Sequence, residues 1–593
     1  MPMKHYKGVP GMADTPFGNG DVVVRVDMTR AAIRVERFPD EWMLLGGRAL
    51  SAKILLDTVD PKCDPLGPDN KLVIAPGLLA GTAAPTSGRL SFGAKSPLTN
   101  GIKEANSGGN PGQDLAKIGV RALIIEGAPA DAKARYGLAI DEAGVRLVSA
   151  DAYAGVWNYE TCRMLAEIYS KRASFIVCGP VGEHRFAAAS IACTDSDNRY
   201  PTRHAARGGL GAVMGSKGLK FIAIDTGRRF AATRVAKRRS EFRDLLKQQS
   251  KRYLDGPQRM AKGTARAVAK AASLNTLPYK NRTAGSPSAQ DVTGLDGATI
   301  LASFEARGGG MHNCMVGCIV KCSNQVNHED GSYLSSALEL ETLGLLGSNC
   351  AVGKWDEVGE LDRLCDEVGL DTMETGIAIG VLMAAGRMEW GDVAAMKELI
   401  RQVADGTELG RIVGNGARSV GAFTGHRRVP VVKGQGIPVW DPRVMKATGV
   451  TYATSAMGAD HTAGIVTLVG LNNDAVAALS QEAQILNAIG DSSGYCQFVQ
   501  ATLSELRGFV AALFDRPVEG RELVEIGWQC LQAEWEFNRQ AGFTDADDDI
   551  PEFMKTEPIG DRSYVFDVDA ATLRQVKAGM LPLAEDFYDK PIF

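Results

Sequence analysis

The apolar residues of this chain change their spacing once, and that change constrains what it can fold into. Over the first ~225 residues they come in short β-branched runs broken by Gly and Pro, the mark of strands. VVVRVDMTRAAIRVE (22–36) predicts two strands about a polar turn. LVIAP (72–76), ALIIEG (122–127), VRLVS (145–149), SFIVCGP (174–180) and KFIAID (220–225) predict more. The charged segment from Gly227 to Met260, opening GRRFAATRVAKRRSEFRDLLKQQSKRYL, predicts an amphipathic helix with a solvated basic face. From residue 333 onward, LSSALELETLGLLG, WDEVGELDRLCDEVGL, TMETGIAIGVLMAAG and DAVAALSQEAQILNAIG carry the helical period. The expected fold class is α+β. A β-rich amino-terminal domain (1–225) precedes a mainly helical domain (226–430) and a mainly helical carboxy-terminal domain (431–593), the later boundary falling near VPVVKGQGIPVWDPR. No internal repeat is evident.

A chain of 593 residues is too long for one core and suggests roughly three or four domains. Its formal charge of −4 gives no pull toward nucleic acid or anionic membrane. The opening MPMKHYKGVPGMADTPFGNG has no apolar core and reads as a solvated arm, not a secretory signal. No stretch approaches the ~18–20 apolar residues of a membrane span. Eleven cysteines, an odd number, are too sparse for a disulfide scaffold, which makes the cytoplasm the expected compartment. Cys178, Cys193 and Cys365 stand alone in apolar or helical settings and read as small buried hydrophobes.

One group of cysteines differs. GGGMHNCMVGCIVKCSN places Cys314, Cys318 and Cys322 four residues apart. On a helix their sulfurs would spread over about 12 Å, too far for one compact centre. The glycines at 308–310 and 317 argue for a curled loop instead. Three close thiolates with one distant cysteine suit an iron–sulfur cubane. Structural zinc and a chance set of buried cysteines are the alternatives.

A second pattern occurs twice. Asp366-Glu-Val-Gly369-Leu370-Asp371 and Asp491-Ser-Ser-Gly494-Tyr495-Cys496 each end an apolar helix with an acid, a glycine three residues on, and a carboxylate or thiol two further. The glycine predicts a left-handed cap. A carboxylate at that end opposes the macrodipole and needs a cationic or donor-rich partner, such as the amino and imino groups of a heterocycle. Gly-rich stretches APTSGR (84–89), AKSPLTNGIKEANSGGN (94–110) and TRHAARGGLGAVMGSK (202–217) read as loops whose amides, with Arg89, Arg203 and Arg207, could cradle phosphates. None matches a P-loop or GxGxxG.

Together these residues resemble the aldehyde ferredoxin oxidoreductases, which hold tungsten between two pterin ene-dithiolates beside a [4Fe–4S] cluster. The likeness runs from GGRALSAKILLDTVDP through APTSGR, SPLTNGIKEANSGG, RGGLGAVMGSK, LELETLGLLGSN, DEVGLD, VWDPR, TYATSAMGADH and DSSGYC to AGFTDADDDIPEF. It implies that the amino-terminal domain binds pterin phosphates and that the metal–pterin site lies where the domains meet. Asp366, Gly369, Leu370 and Asp371 would hold one pterin; Asp491 and the Cys496 backbone would hold the other. Arg89, Asn106, Gly108 and Arg203 would meet the phosphates and a bridging Mg²⁺. Cys314, Cys318, Cys322 and Cys496 would carry the cluster, although the family's CxxCxxxC is CxxxCxxxC here. His204 replaces a residue that is often small in the family, with no function assigned.

The resemblance implies oxidation of an aldehyde to its acid. Glu341, in an apolar helical stretch, would be the general base, and His461 would donate to the developing oxyanion. Electrons would leave through the cluster to a ferredoxin or a small iron–sulfur subunit, and a homo-oligomer is compatible with it. Molybdenum suits the same ligands as tungsten. The rival readings are reduction of an activated aromatic or carboxylic acid by the same cofactor, a non-catalytic electron-transfer subunit, and a zinc-stabilised binding protein.

Overall fold

The computed structural model describes residues 17, 20–141, 143–227, 234–257 and 260–592. The expected amino-terminal arm falls almost wholly outside them. The amino-terminal part contains β1 (Val22–Asp27), β2 (Ala32–Arg37), β3 (Leu72–Pro76), β4 (Leu90–Lys95), β5 (Ile102–Ser107), β6 (Val120–Glu126), β7 (Tyr136–Asp141), β8 (Gly144–Ser149), β9 (Ser174–Cys178), β10 (Ile191–Cys193), β11 (Arg203–Ala205) and β12 (Leu219–Ile224). They form two six-stranded sheets, ordered β2-β1-β6-β3-β4-β5 and β11-β10-β9-β12-β7-β8. Each sheet has a single parallel pair, β1 with β6 and β7 with β12.

Period-2 alternation decides what the sheets cover. Val22, Val24, Val26, Leu72 and Ile74 meet Leu138, Ile140, Ile176 and Ile222 in one core between the sheets. The intervening Val23, Val73 and Ala75 pack on Leu50, Ile54 and Leu55 of the helix Gly47–Thr58. Phe175 and Val177 likewise pack on Leu165 of the helix Asn158–Ile168. Cys178 and Cys193 are fully buried in the shared core, as small hydrophobes.

Every strand expected from β-branched runs is present. The Gly-rich stretches are corrected in part. β5 occupies the middle of 94–110, paired along its length with β4, and β11 and the helix Leu210–Ser216 lie in 202–217. Their polar residues hid the pattern because tertiary partners, not solvent, satisfy them: Lys103 on β5 is buried against Asp460 at 2.6 Å.

The helices Trp355–Val368, Thr372–Ala384 and Asn473–Ser493 follow the predicted spacing. The segment expected as one helix from Gly227 is helical only over Arg239–Asp255, and residues 228–233 and 258–259 lie outside the described set. LSSALELETLGLLG also splits. Its start is β15 (Tyr333–Ser336), third strand of a small sheet with β13 (Gly310–His312) and β14 (Ser323–Asn327). Ala337, at φ 65°, ends the strand. An α-turn (Leu340–Thr342) then widens to a π-turn (Leu343–Gly347) and tightens to a 3₁₀ turn (Ser348–Cys350). Among the described residues no helix is long and apolar enough to cross a membrane.

Candidate functional site

The two acidic helix ends dock in the same way, on glycines that follow strands of the amino-terminal sheets. Gly369 (φ 81°) and Gly494 (φ 85°) take the predicted left-handed cap. The first lies against Gly179, beyond β9, where a Cβ would come 2.3 Å from Val368 O. The second lies against Gly77, beyond β3, where a Cβ would come 2.1 Å from the Gly494 Cα. Backbone bonds fasten each end: Ser190 N–H to Gly369 O (2.9 Å) and Asp371 N–H to Ala188 O (3.0 Å), against Leu78 N–H to Ser492 O (3.0 Å) and Arg89 N–H to Gly494 O (3.1 Å).

The acids find different partners. Asp366 Oδ1 lies 3.0 Å from His204 Nε2. Asp491 accepts from Asn106 Nδ2 at 2.7 Å and meets Arg48 Nη1 at 3.4 Å. Burial pushes the Asp491 carboxyl up, and Arg48 and Arg89 pull it back. Asp371 caps the helix Thr372–Ala384 by accepting from Met373 N–H at 2.9 Å, a role signalled by the Asp-x-x-Glu sequence 371–374. Leu370, between the two acids of the first pattern, is buried.

Arg89 hydrogen-bonds the Asn106 side chain and its carbonyl (3.3 Å). Arg203 donates to Ser323 Oγ at 2.7 Å. Both arginines act electrostatically on Cys314, and a Cβ on Gly108 would lie 3.3 Å from the Cys314 Sγ. Arg207 differs from the expectation. It donates to Ala459 O (2.8 Å) and Gly436 O (2.6 Å) and pairs with Glu374 at 3.6 Å, so its fork is engaged by the protein's own acceptors.

Cys314, Cys318 and Cys322 sit on the connection between β13 and β14, which is not helical. Thr86, buried at φ 56°, ties that loop to Cys496. It donates its N–H to Gly317 O (2.9 Å), accepts from Ile319 N–H on its hydroxyl (3.1 Å), and accepts from Cys496 N–H on its carbonyl (3.0 Å). Cys314 and Cys318 act on one another's thiols, and Cys496 acts electrostatically on Cys314, Cys318 and Cys322. All four are buried free thiols. Burial pushes Cys322 and Cys496 up, so a cationic centre is what would keep them as thiolates. Among the described residues no group of His, Cys, Asp or Glu closes on a single-ion site. The thiols share a neighbourhood without converging on a point.

Glu341 and His461, both partly buried, approach one another. Glu341 Oε2 accepts from Val439 N–H at 2.7 Å, a bond supplied by the VPVVKGQGIPVWDPR loop. Its Oε1 is buried without a hydrogen-bond partner and lies 3.8 Å from His461 Nε2. His461 opens a 3₁₀ turn capped by Asp460. Lys103 and Arg207 hold the Asp460 carboxyl well below the usual range despite its burial. A cleft of about 700 Å³ walled by Trp42, Lys53, Arg516 and Cys530 includes none of these residues.

Sequence reasoning missed Thr86, Arg48, Glu534 and Glu339. Thr86 sat in APTSGR, where only Arg89 drew notice. Arg48 forks onto Glu534 with two bonds of 2.8 Å across 486 residues, a pairing no local signal carries. Glu339, bonded to Thr264, acts on Cys322 and lies two residues before Glu341.

Residues 23–226 match the family model of the aldehyde ferredoxin oxidoreductase N-terminal domain, and residues 241–576 match that of aldehyde ferredoxin oxidoreductase domains 2 and 3. The tungsten-containing aldehyde ferredoxin oxidoreductase of Pyrococcus furiosus is 29% identical over 579 residues, covering 92% of each chain. The WOR-like subunit of an aliphatic sulfonate oxidoreductase from the same organism is 25% identical over 518 residues, 80% of this chain and 78% of that one. The active-site complex BamBC of benzoyl coenzyme A reductase has a chain of like fold, with a TM-score of 0.77, 18% identity, and 94% and 92% of the two chains covered. The fold and these relatives define an oxidoreductase. The chain belongs to the aldehyde ferredoxin oxidoreductase family.

Proposed function

We propose that this chain oxidises an aldehyde to its carboxylic acid at a tungsten bis-pterin centre, passing electrons through one [4Fe–4S] cluster to a ferredoxin or a partner iron–sulfur subunit. The observation that carries the reading is the Glu341–His461 pair. A buried carboxylate oxygen without a partner faces an imidazole 3.8 Å away, too far for a hydrogen bond between them. Each side chain therefore keeps an atom for a third party. The residues also fit the implied cofactors. Four buried, unpaired thiols suit a cubane, and acids at paired helix ends suit the donor edge of a pterin. Arg89, Asn106, Gly108 and Arg203 would take its phosphates and a bridging Mg²⁺.

When bound, the tungsten centre supplies a two-electron sink and a Lewis acid for the carbonyl. The reaction adds an oxygen from water to the aldehyde carbon and releases two protons and two electrons. Glu341 takes a proton at Oε1 while Val439 N–H fixes the other oxygen, so the acceptor is aimed without rotamer search. His461, steadied by the Asp460 cap, presents Nε2 to the oxygen on which charge develops. Cys496 follows the helix end bearing Asp491, which supports an electron exit beside the second pterin position.

Anaerobic purification with metal analysis tests this, followed by an aldehyde panel with a viologen acceptor. Tungsten with about four iron per chain and viologen reduction by an aldehyde are expected; zinc alone would overturn the reading. The reductive alternative uses the same side chains with protons flowing from Glu341. Acid or thioester reduction by reduced viologen, without aldehyde oxidation, would replace the first reading with that one.

A further inference from the structure

We propose that His204 is a positioning residue that orients Asp366 toward the first pterin; this rests on the function proposed above. His204 is the middle residue of β11, opposite Ala192 on β10, so its side chain leaves the sheet on the face opposite to those of Arg203 and Ala205. Its ring is held at both nitrogens. Nδ1 lies 2.8 Å from Ser190 Oγ; Nε2 lies 2.9 Å from Pro201 O and 3.0 Å from Asp366 Oδ1. A carbonyl and a carboxylate only accept, so Nε2 carries a proton, and the Ser190 hydroxyl takes whichever role Nδ1 leaves. That N–H is directed at Pro201 O, and Asp366 Oδ1 lies against the same ring nitrogen at 3.0 Å as an electrostatic contact.

Asp366 has reason to need one. It stands in the last turn of the helix Trp355–Val368, where the carbonyl ends oppose a negative charge. Asp362, one turn earlier and bonded to Ser335 Oγ at 2.6 Å, adds a second buried carboxyl, and Tyr159 and Tyr333 also act on Asp366. Asn158 donates to its backbone carbonyl at 2.8 Å, which fixes the helix end but not the carboxylate. With Oδ1 lying against the imidazole edge, Oδ2 is the oxygen left for the heterocycle. The second helix end solves the same problem differently, with Arg48 and Asn106 around Asp491. The helix-end acids therefore differ in their partners, His204 beside Asp366 and Arg48 beside Asp491, while Arg207 stands 3.5 Å from Asp371.

The test compares His204→Ala, His204→Gln and His204→Asn holoenzymes, purified anaerobically, for tungsten and iron per chain and for the rate of tungsten loss in mild urea. The amide nitrogen of Gln is as many bonds from Cβ as Nε2 of His, whereas that of Asn is one bond shorter. Partners that orient a ligand are commonly worth on the order of 10–100-fold in affinity. His204→Ala and His204→Asn should lose tungsten about ten times faster with iron and melting temperature unchanged, and His204→Gln should restore most of the retention. Equal retention in His204→Ala and wild type overturns the proposal. So does loss of iron together with tungsten, or equal loss in the Ala and Gln variants. A wild-type chain that never contains tungsten would instead overturn the proposed function.

Discussion

Arg48 and Glu534 form a two-pronged ion pair, Nε to Oε1 and Nη2 to Oε2, both at 2.8 Å and both side chains almost wholly buried. The same guanidinium faces Asp491 at 3.4 Å, so one cation serves two acids from the carboxy-terminal part. Arg48→Ala leaves both acids in the interior without it, a change that typically costs about 3–5 kcal/mol. The urea midpoint should fall accordingly, and the Arg48→Met, Glu534→Leu double variant should recover much of the loss. An unchanged midpoint for Arg48→Ala would refute this account.

Glu341→Gln keeps the volume and one acceptor but cannot hold a proton at neutral pH. It should retain tungsten and iron, bind aldehyde with little change, and lose turnover by a factor on the order of 10²–10⁴. His461→Asn should retain the metals and lose rate through an oxyanion contact worth about 3–4 kcal/mol. Wild-type turnover in Glu341→Gln would mean that another base serves, and loss of metal would make Glu341 structural.

Cys496→Ser and Cys314→Ser should each lower iron per chain and bleach the visible sulfur-to-iron absorption. Cys162→Ser should not, because Cys162 is buried among Leu165, Phe175 and Val177 on the far face of the second sheet. Full iron in Cys496→Ser would remove it from the cluster.

Asp114 gives a pH test away from the site. It accepts from Ser174 Oγ at 2.7 Å, and burial pushes its carboxyl up to about 6, with Lys117 opposing. The native protein then holds a proton that the unfolded chain releases near ~3.9. Stability therefore falls as pH rises through that window, by roughly 3 kcal/mol in all. Asp114→Asn should remove this component, so that the variant gains on wild type between pH 4 and 7 in denaturant midpoints. An identical pH slope in both proteins would exclude it.

What was legible in the sequence follows from what is local. Strand and helix periods, the caps at Gly369 and Gly494 and the non-helical cysteine loop depend on residues near one another, and the structure has them. β5 was hidden because Lys103 is a buried cation whose partner, Asp460, lies far along the chain, and Glu104 beside it is buried too. The partner of Asp366 was illegible for the same reason: His204, Ser190 and the helix end become neighbours only when β11 is laid beside β10. Asp371 carried a capping signal that was read as ligand binding alone.

The clamp made by Thr86 has a consequence for biosynthesis. Arg48, Thr86 and Asn106 leave the ribosome early, while Asp491, Cys496 and Glu534 belong to the last stretch to be made. At about 5–20 residues per second, the 443 positions between Arg48 and Asp491 take on the order of 20–90 s to translate. Through that interval the fourth thiol and the second acid do not exist. On the function proposed above, whatever delivers the metal and pterins would act on a finished or nearly finished polypeptide, because a chain released before residue 491 lacks Asp491, Cys496 and Glu534.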